Sequence, residues 1–496
     1  MKRLNGMDAM LLYSETPNLH THTLKVVIVN AADFDGEFNF DLFRQTVQRR
    51  LHLLDPLRYK LVEIPFRLHH PMWLQNCGID FDYHLRRVRV PSPGRRRELD
   101  QVIGEIASTP LDRSRPLWEF HFAEGMADDR FALIGKVHHA LADGVASANL
   151  LARLMDLTGS PQDDSGDYDA CTPPSKGELL RLAGRDHLEQ IGALPGLIKD
   201  AVAGVSRVRR RSRERRDHPD MAKAFNAPPT FLNHMVSPGR TFATAALSLA
   251  EVKETAKHLG VKFTDIVLAI AAGGLRELLL RYDGRADRPI LATVPVSTEG
   301  SPDRIAGNQI SGLIVSVPVH IDDPLERTRL ISMATASAKE DHELVGPTLQ
   351  GRMMDYLPPP LAPAIFRRLS QRVAQNKAFN VAVSTVAGPR RRGHFGGAPV
   401  SEIYSVGVLS AGSAFNMTVW SYVDQVDISV LSDDRTFSDV HEASEALVQS
   451  FAELRRAAGY SGDPSEVDTA MAPARAGGFG RVPYPKPITQ TPGRNQ

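Results

Sequence analysis

Cysteine is nearly absent from this chain, which has only Cys77 and Cys171 among its 496 residues. Neither has a neighbour at the spacing typical of metal-binding or redox-active cysteines. A chain of this length with two cysteines is not expected to depend on disulfide bonds, and such usage is typical of a reducing interior. The 42% of residues that are hydrophobic predict a globular protein with an ample core.

A strong charge of either sign is also lacking, since the formal net charge is +1. No global field therefore favours nucleic acid as a partner. The first residues place Asp8 where the apolar part of a signal peptide would begin. The one long uncharged run, residues 404–423, contains too many Ser, Gly, Thr and Asn residues for a membrane span, and two strands joined by a Ser-Ala-Gly-Ser turn are predicted. We expect a cytoplasmic protein, with peripheral contact at the inner membrane or lipid bodies left open.

Several catalytic signatures are missing, namely HExxH, CxxC and the GxSxG nucleophile elbow. What the chain does contain is His-His-Ala-Leu-Ala-Asp-Gly at residues 138–144, where an apolar run ends and a helix-like run begins. A strand end fixes the backbone while the following loop leaves side chains free for chemistry. A neutral imidazole held by a carboxylate is a common general base, and His139 and Asp143 supply both groups. Gly144 allows a tight turn.

Two other interpretations of the paired histidines remain open at this point. Histidines at a strand end can be ordinary, partly buried residues, and His69-His70 is a second pair without a carboxylate at matching spacing. Two imidazoles and a carboxylate can also bind zinc, although no companion metal motif accompanies them. Context beyond the heptapeptide has to decide between these interpretations.

That context is a resemblance along most of the chain. Residues 136–144 resemble the active-site signature HHxxxDG of the bacterial wax ester synthase/diacylglycerol acyltransferases, which belong to the coenzyme A-dependent acyltransferase superfamily. Further matches occur in order: Leu4-Asn-Gly-Met-Asp8, Glu15-Thr-Pro17, Pro116-Leu117-Trp118, Gly307-Asn308, and Asn416 through Ser421-Tyr422. Two positions depart from the family pattern. Thr264 precedes Asp265 where the family has Asn, and Thr385 stands at another family Asn position, so the amide N–H donors are lost at both.

The resemblance implies an α/β fold of two chloramphenicol-acetyltransferase-like subdomains, joined by a crossover linker, with the active-site channel between them. The expected division is an N-terminal acyltransferase subdomain over residues 1–160 and a C-terminal one over residues 241–460. Residues 161–240 form the linker, and residues 461–496, rich in Pro, Gly and Arg, are expected to be a disordered tail. Alternating strand-like and helix-like runs in both halves agree with this layered class.

The linker contains a pattern with two open interpretations. Apolar residues recur at helical spacing from Ile191 to Val205, interrupted by Pro195-Gly196, and an arginine-rich run follows at residues 207–216. A stripe of this kind next to arginines suits an interfacial membrane anchor. The alternative, which we favour at this stage, is a solvated crossover helix with a charged end. Nucleic-acid binding is a distant third, because no reader motif accompanies the run.

The reaction implied by the resemblance is acyl transfer from a coenzyme A thioester to an alcohol, with His139 as the general base. Asp143 is expected to orient the loop, often through an arginine partner in the superfamily, and His138 to be a packing residue behind His139. Trp118 is expected to pack behind the catalytic loop, with Pro116, Leu117, Gly144 and Asp265 as supporting motif residues. Candidate donors to the oxyanion or the substrate are Asn308, Ser384, Thr385 and Asn416.

The expected substrates are a long-chain acyl-CoA and diacylglycerol, which together give triacylglycerol. A long-chain alcohol, giving wax ester, is the alternative acceptor. A catalytically degenerate homologue that binds lipid or coats lipid bodies is the alternative of another class, suggested by Thr264 and Thr385. No cofactor or metal is expected, since acyl-CoA is a co-substrate, and contact with membrane or lipid body is the only macromolecular association predicted.

Overall fold

Two six-stranded sheets form the framework of the protein. The computed structural model describes residues 1–32, 34–155, 171–214, 218–298, 303–462 and 464. Its strands are β1 (Lys2–Arg3), β2 (His22–Asn30), β3 (Lys60–Val62), β4 (Met72–Leu74), β5 (Leu85–Arg89), β6 (Trp118–Glu124), β7 (Arg130–His138), β8 (Arg240–Ser248), β9 (Ile290–Ser297), β10 (Ile310–Val317), β11 (Val381–Ala387), β12 (His394–Phe395), β13 (Ala398–Val406), β14 (Phe415–Tyr422) and β15 (Gln425–Asp433). Its α-helices are α1 (Gly6–Ser14), α2 (Phe40–Arg50), α3 (Phe81–His84), α4 (Arg96–Ala107), α5 (Gly144–Leu154), α6 (Lys176–Glu214), α7 (Leu249–Leu259), α8 (Phe263–Tyr282), α9 (Pro324–Val345), α10 (Leu349–Met354), α11 (Ala362–Arg372) and α12 (His441–Ala457).

The first sheet has the strand order β12-β13-β2-β7-β6-β5 and places the two histidines at the end of β7. β7 lies between β2 and β6, so its backbone is hydrogen-bonded on both sides. Helix α5 begins directly after the histidine loop, because Asp143 caps it: Oδ1 accepts from the Ala146 N–H at 3.0 Å. The loop is therefore fixed between a central strand and a capped helix.

The second sheet has the order β10-β9-β11-β14-β15-β8 and belongs to the C-terminal half. β11 runs parallel to β9 and β14, whereas the other pairs are antiparallel. The apolar helix α8 is buried along most of its length and contributes to the largest buried cluster, together with strands of this sheet and α12. A small three-stranded sheet with the order β1-β4-β3 belongs to the N-terminal half.

The C-terminal half donates two strands to the first sheet. β13 pairs antiparallel with β2, with Tyr404 opposite Val26, and β12 continues the sheet beyond it. The two strands predicted within residues 404–423 correspond to the end of β13 and to β14. They lie in different sheets, so the chain crosses from one half to the other at the turn bridged by Ser410 and Ser413.

A buried cluster of charges also joins the halves. Asp100 of α4 accepts from Thr244 Oγ1 at 3.2 Å and lies 3.0 Å from His441 Nε2, while His441 Nδ1 lies 2.9 Å from Asp439 Oδ1. Burial alone would lower the pKa of His441, but its hydrogen bonds and charge pairing with Asp100 and Asp439 outweigh burial and raise that pKa to about 9. The histidine is thus a cation held between two carboxylates at neutral pH.

The linker differs from its expected form in two respects. α6 continues through Pro195, which lies on the exposed side, where water can satisfy the Ile191 carbonyl that the proline leaves without a helical partner. Cys77 and Cys171 form a disulfide, with Cα atoms 4.7 Å apart, a pairing that the spacing of the two cysteines does not predict. Residues 156–170, which include the start of the predicted linker (161–240), and residues 465–496 of the predicted tail (461–496) lie outside the described residues. Within the described ranges, no helix is long and apolar enough to cross a bilayer.

Candidate active site

His139 and Asn308 meet where the histidine loop faces the C-terminal half. Asn308 Oδ1 lies 2.9 Å from His139 Nδ1. The amide nitrogen of Asn308 donates to Asp8 Oδ1 at 2.8 Å and to the His139 carbonyl at 2.7 Å. Because both amide hydrogens are used, Oδ1 is the acceptor, and His139 Nδ1 carries the proton. His139 Nε2 therefore keeps its lone pair, as a general base requires.

Burial keeps this imidazole neutral. Desolvation lowers the pKa of His139 from its ordinary value, against the opposing effects of the Asp143 charge and the hydrogen bond to Asn308. The neighbouring ammonium of Lys25 acts in the same direction as burial. The neutral ring is the form that can accept a proton, so the environment favours the basic state of His139.

Asp8 of α1 holds Asn308 in place. The Asn308 backbone N–H and side-chain amide both donate to Asp8 Oδ1 at 2.8 Å. Burial raises the pKa of Asp8 to about 7, even though these two hydrogen bonds from Asn308 lower it. Gly307 precedes Asn308 with φ of +77°, a left-handed conformation that glycine adopts without strain. Asp8, Asn308 and His139 form one chain of contacts across both halves.

Asp143 is fully committed to structural contacts. Its Oδ2 accepts from Arg304 Nη2 at 2.6 Å and from the Gln309 N–H at 2.9 Å, while Oδ1 caps α5. Arg304 also donates to the Gly307 carbonyl at 2.5 Å. Arg304 is therefore an arginine partner of Asp143, and the pair fastens the histidine loop to the segment that carries Asn308.

His138 is completely buried and points away from His139. Its Nδ1 accepts from the Ala140 N–H at 3.1 Å, and its Nε2 lies 3.0 Å from Thr21 Oγ1 and 3.6 Å from Glu15 Oε2. Arg113 pairs with the same Glu15 oxygen at 2.7 Å. These contacts fill the bonding capacity of the ring, so His138 packs behind the loop.

The Pro116-Leu117-Trp118 element supports the loop from the neighbouring strand. The Leu117 carbonyl accepts from the His138 N–H at 3.0 Å. Trp118 is fully buried, donates from Nε1 to the Leu57 carbonyl at 2.6 Å and stacks on His84 at 4.3 Å between ring centroids. Gly144 permits a close approach of β11, since a Cβ there would lie 3.2 Å from Val386 Cγ2, which is tighter than an ordinary contact.

The other motif residues are Asp265, Asn416, Ser384 and Thr385, and they differ in what they contact. Asp265 accepts from the Lys262 N–H at 3.0 Å and so caps α8. Asn416 donates to the Val408 carbonyl and accepts from Thr418 Oγ1, with its side chain against Gly407. Ser384 and Thr385 lie on β11, whose Val386 reaches Gly144. The structure thus brings Asn308 and Asp143 to His139, places β11 beside the loop, and keeps Asn416 in contacts of its own.

One cavity is lined by residues of α5, and a second by residues of β11, whose Val386 lies close to Gly144 at the start of α5. One is an apolar pocket beneath the helix, lined by residues of α5 and the first sheet that include Val137, Ser147, Leu150, Leu151 and Leu154, with Lys25 at its polar side. The other, of about 370 Å³, lies between the end of β11 and the start of α8. Its lining contains Thr264, Thr385 and Val386, and two cations, Lys253 and Arg390. The two departures from the family motifs therefore lie in one cavity.

Sequence reasoning missed Arg304 and the contact made by Asp8. Asp8 belongs to the N-terminal block that resembles the family, but its target lies 300 residues away. Arg304 lies three residues before Gly307-Asn308, a proximity that would have been the available signal. Lys25 was also missed; its Nζ donates to Ser405 Oγ at 2.7 Å within a strand that otherwise reads as apolar.

Comparison with known proteins identifies the family. The catalytic-domain profile of the wax ester synthase/diacylglycerol acyltransferases matches residues 4–267, and the profile of their C-terminal domain matches residues 306–455. The chain belongs to this family. It is 52% identical over 474 residues to a Mycobacterium tuberculosis H37Rv protein named "Putative diacyglycerol O-acyltransferase Rv0221", covering 96% of this chain and 100% of the relative. A second M. tuberculosis relative, Rv1760, carries the same description at 32% identity, covering 92% of this chain and 90% of the relative.

Solved structures agree with the family assignment and confirm the fold. The wax ester synthase/diacylglycerol acyltransferase from Marinobacter aquaeolei VT8 superimposes with a TM-score of 0.66 at 26% identity, covering 93% of this chain and all of the other. The first condensation domain of the CDA synthetase superimposes with a TM-score of 0.55 at 14% identity, covering 92% and 96%, which supports the fold alone. The predicted α/β fold of two acyltransferase-like halves and the predicted acyltransferase class are confirmed.

Proposed function

We propose that this family member transfers the acyl group of a long-chain acyl-CoA directly to the free hydroxyl of diacylglycerol. The choice of diacylglycerol rests on the names of its relatives, of which one is 52% identical over its whole length. In this reaction the hydroxyl oxygen forms a bond to the thioester carbonyl carbon, and the carbon–sulfur bond breaks. Triacylglycerol and free coenzyme A are the products, and neither a cofactor nor a metal is needed.

The single observation that carries the mechanism is the hydrogen bond between His139 Nδ1 and Asn308 Oδ1, 2.9 Å long. It presents Nε2 as the acceptor for the proton of the attacking hydroxyl. The protonated ring then returns that proton to the departing thiolate, so proton and charge balance without a covalent enzyme intermediate. Asp143 and His138 do not take part in the proton transfer, because their polar atoms are bonded elsewhere.

Asn308 acts on the base rather than on the oxyanion in this proposal, because both of its amide hydrogens are engaged. Thr385 is the better candidate for an oxyanion contact. It lines the cavity beside β11, and the next residue, Val386, touches the start of α5. A hydroxyl donor there can stabilise negative charge on the thioester oxygen. Ser384, on the same strand, is the second candidate.

The two cavities suit the two parts of acyl-CoA. Lys253 and Arg390 line the cavity near β11 and can pair with the phosphates of coenzyme A. The pocket beneath α5 is lined almost entirely by apolar side chains, which suits a hydrocarbon chain. In this arrangement the thioester lies between the cavities, beside the loop that carries His139.

The test is ester formation by the purified full-length chain from labelled palmitoyl-CoA, with diacylglycerol and hexadecanol offered in competition. Wild-type protein is expected to make mainly triacylglycerol, and His139→Ala to lose it by about 100-fold or more while remaining folded. Predominant wax ester would keep the mechanism and overturn the choice of acceptor. Folded wild-type protein that makes neither ester above the level of His139→Ala would overturn the enzymatic proposal and favour a lipid-binding homologue.

A further inference from the structure

The outer side of α6 is an unpartnered apolar surface. Leu188, Ile191, Leu194, Ile198, Val202 and Val205 recur three or four residues apart and therefore lie on one side of the helix. They are exposed, Leu188 at 72%, Ile191 at 66% and Val202 at 65%. We call these six residues the outer stripe. A continuous patch of large apolar side chains on a protein surface indicates an interaction site.

The inner side of the same helix is already occupied by the body of the protein. Leu179, Ala183 and Leu197 are buried against it. Gln190 donates to the Asp355 carbonyl at 2.9 Å, and Arg211 pairs with Glu340 at 2.8 Å. These contacts fix the rotation of α6 about its axis along most of its length. The outer stripe therefore points outward because the helix is anchored by its other side.

Acidic and basic side chains lie on different sides of α6. On a helix of 3.6 residues per turn, the acidic side chains within residues 176–211 each lie about 80° or more from the nearest residue of the outer stripe; they are Glu178, Asp186, Glu189 and Asp200. Arg181, Lys199 and Arg210, all exposed, lie within about 40° of its edge. Arg209 and Arg213 continue the stripe at its C-terminal end. A cationic border along an apolar stripe, with the acids turned away, is complementary to an anionic lipid surface.

Other exposed apolar side chains lie near α6. Leu68, whose carbonyl accepts from His187 Nε2 of α6 at 2.7 Å, is exposed, as is Phe66, two residues before it. The Tyr356 hydroxyl donates to the Gln190 carbonyl of α6 at 2.7 Å, and further along the chain the exposed side chains are those of Leu361, just before α11, and of Ile365, Arg368, Leu369 and Arg372 of α11.

α11 is also connected to a helix of the candidate active site. α11 packs against α1 through the buried cluster that contains Ala362, Ala9 and Leu12. α1 carries Asp8, which holds Asn308 against His139. A lipid surface that reached α11 as well as α6 would therefore lie one helix away from Asp8.

We propose that the outer stripe and its cationic border dock the protein onto an anionic phospholipid membrane, with α6 lying in the plane of the interface. The stripe enters the boundary between headgroups and acyl chains, and the lysine and arginine side chains bind lipid phosphates. This docking does not depend on the acyl acceptor or on catalysis, so it is tested without any reaction.

The experiment is co-sedimentation of the full-length chain with vesicles of phosphatidylglycerol and phosphatidylcholine in equal parts, and with phosphatidylcholine vesicles alone. Wild type is expected to bind the anionic vesicles and to be released by high salt. Replacing Arg181, Lys199 and Arg210 by Gln should weaken this binding by about 100-fold, from the contribution of each cation near an anionic surface. Ile191→Gln, Ile198→Gln and Val202→Gln together should weaken it by at least about tenfold.

Matched control variants distinguish a loss of the outer stripe and its cationic border from a loss of charge or apolar surface elsewhere on the protein. Replacing Lys257, Arg285 and Arg288 by Gln removes the same charge from exposed positions in the C-terminal half, and Leu280→Gln removes an exposed apolar side chain there. Both controls should bind as wild type does. Binding unaffected by the stripe variants, or equal loss in the controls, would overturn the proposal.

Two further results would also contradict docking on a membrane. One is a dimer in solution that the Ile191, Ile198 and Val202 variant dissociates, with no vesicle binding by wild type; the stripe would then bind a second copy of the chain. The other is binding to triacylglycerol emulsions coated with phosphatidylcholine but not to anionic vesicles. Transfer of the acyl group to a dissolved short-chain alcohol, measured in parallel, should be unchanged in all stripe variants, so failure of docking and failure of the proposed reaction are distinguishable.

Discussion

At the scale of single residues, the candidate site consists of His139, the proposed base, and the groups that set its orientation. His139 makes its side-chain contact through Nδ1, and that contact is with an amide oxygen whose own nitrogen is fixed by Asp8. A carboxylate would place a full charge beside the imidazole and stabilise its protonated form, whereas an amide selects the tautomer without that charge. The arrangement therefore favours a base that releases its proton readily to the leaving thiolate.

Replacing Asn308 should slow the reaction without abolishing substrate binding. Asn308→Leu removes the acceptor for His139 Nδ1, so the ring can rotate or adopt the other tautomer, and kcat is expected to fall by about 10- to 100-fold. KM for palmitoyl-CoA should change little, since Asn308 has no free donor for the substrate. Steady-state kinetics with Asn416→Ser as the matched control test this. Similar losses of kcat in both variants would show that the contact with His139 is not the cause.

The buried carboxyl of Asp8 predicts a distinct dependence of stability on pH. Its folded pKa is raised from 3.8 to about 7, so the folded state holds a proton that the unfolded chain releases. This contribution to stability is present below pH 3.8 and is lost as the pH rises through 7. Asp8→Asn should remove the loss. Urea denaturation at pH 5 and pH 8 measures the free energy of unfolding of both proteins. Between these two pH values, wild type should lose about 2–4 kcal/mol more than the Asp8→Asn variant does. Equal changes in both proteins would contradict this.

At the scale of elements, helix α5 connects the histidine loop to the apolar pocket. Its first residue follows the histidine loop, and its Leu150, Leu151 and Leu154 line the apolar pocket beneath it. A change in the pocket can therefore alter acyl-chain preference while the loop stays fastened by Asp143 and Arg304. Specificity and catalysis occupy the two ends of one short helix in the proposed mechanism.

Filling the pocket should select against long acyl chains. Leu151→Trp adds bulk where we propose that the hydrocarbon lies, so kcat/KM for palmitoyl-CoA should fall by at least about tenfold relative to butyryl-CoA. The ratio of the two substrates corrects for any overall loss of stability from overpacking, which costs about 1–3 kcal/mol. An unchanged ratio, with both activities lowered equally, would place the acyl chain elsewhere.

Elements differ in how well local sequence predicts them. The apolar run at residues 131–137 predicts β7, and the Ser/Thr/Asp/Asn capping preference marks Asp143 as the start of α5. Pro195-Gly196 predicts an interruption, yet α6 continues because its inner side is held by Gln190 and Arg211 on either side of the proline. Local propensity is a weak term, and tertiary packing outweighs it there.

At the scale of the whole molecule, the halves are joined by exchanged strands and by buried charge. β12 and β13 come from the C-terminal half but complete the first sheet. Asp100 and His441 pair across the halves at 3.0 Å, and Arg97 contacts Asp439 and Glu445 at its edge. These contacts hold Asn308 of one half against His139 of the other, so the candidate site depends on how the halves sit together.

His441 should make stability depend on pH in the alkaline range. Its folded pKa is raised from 6.5 to about 9, so its contribution is fully present below pH 6.5 and is lost as the pH rises through 9. His441→Gln should therefore show a smaller decrease in Tm than wild type between pH 6.5 and 9.5, equivalent to about 1–3 kcal/mol. Thermal unfolding of both, with the exposed His394→Gln as control, tests this. Wild type and His441→Gln with the same decrease would contradict the role of the pair.

The sequence by itself determined the family, the α/β class, and the placement of the histidine loop between a strand and a helix. The family follows from short motifs that occur in order along most of the chain, and the other two from local patterns: alternating or continuous apolar runs and capping side chains. Each of these local patterns reflects hydrogen bonding or burial of residues that are close together in the chain. For that reason His139 could be singled out as the candidate base, and Asp143 as the residue that supports its loop, without any structure.

Only the tertiary structure decided which distant groups meet. Asp8 and Asn308, Asp143 and Arg304, and Cys77 and Cys171 are each brought together across more than 90 residues of chain. Asn308 is predicted from sequence as an oxyanion donor, whereas its contacts assign its amide hydrogens to Asp8 and to the His139 carbonyl. The outward direction of the α6 stripe has the same origin, because a helical pattern gives two sides and packing decides which one is buried.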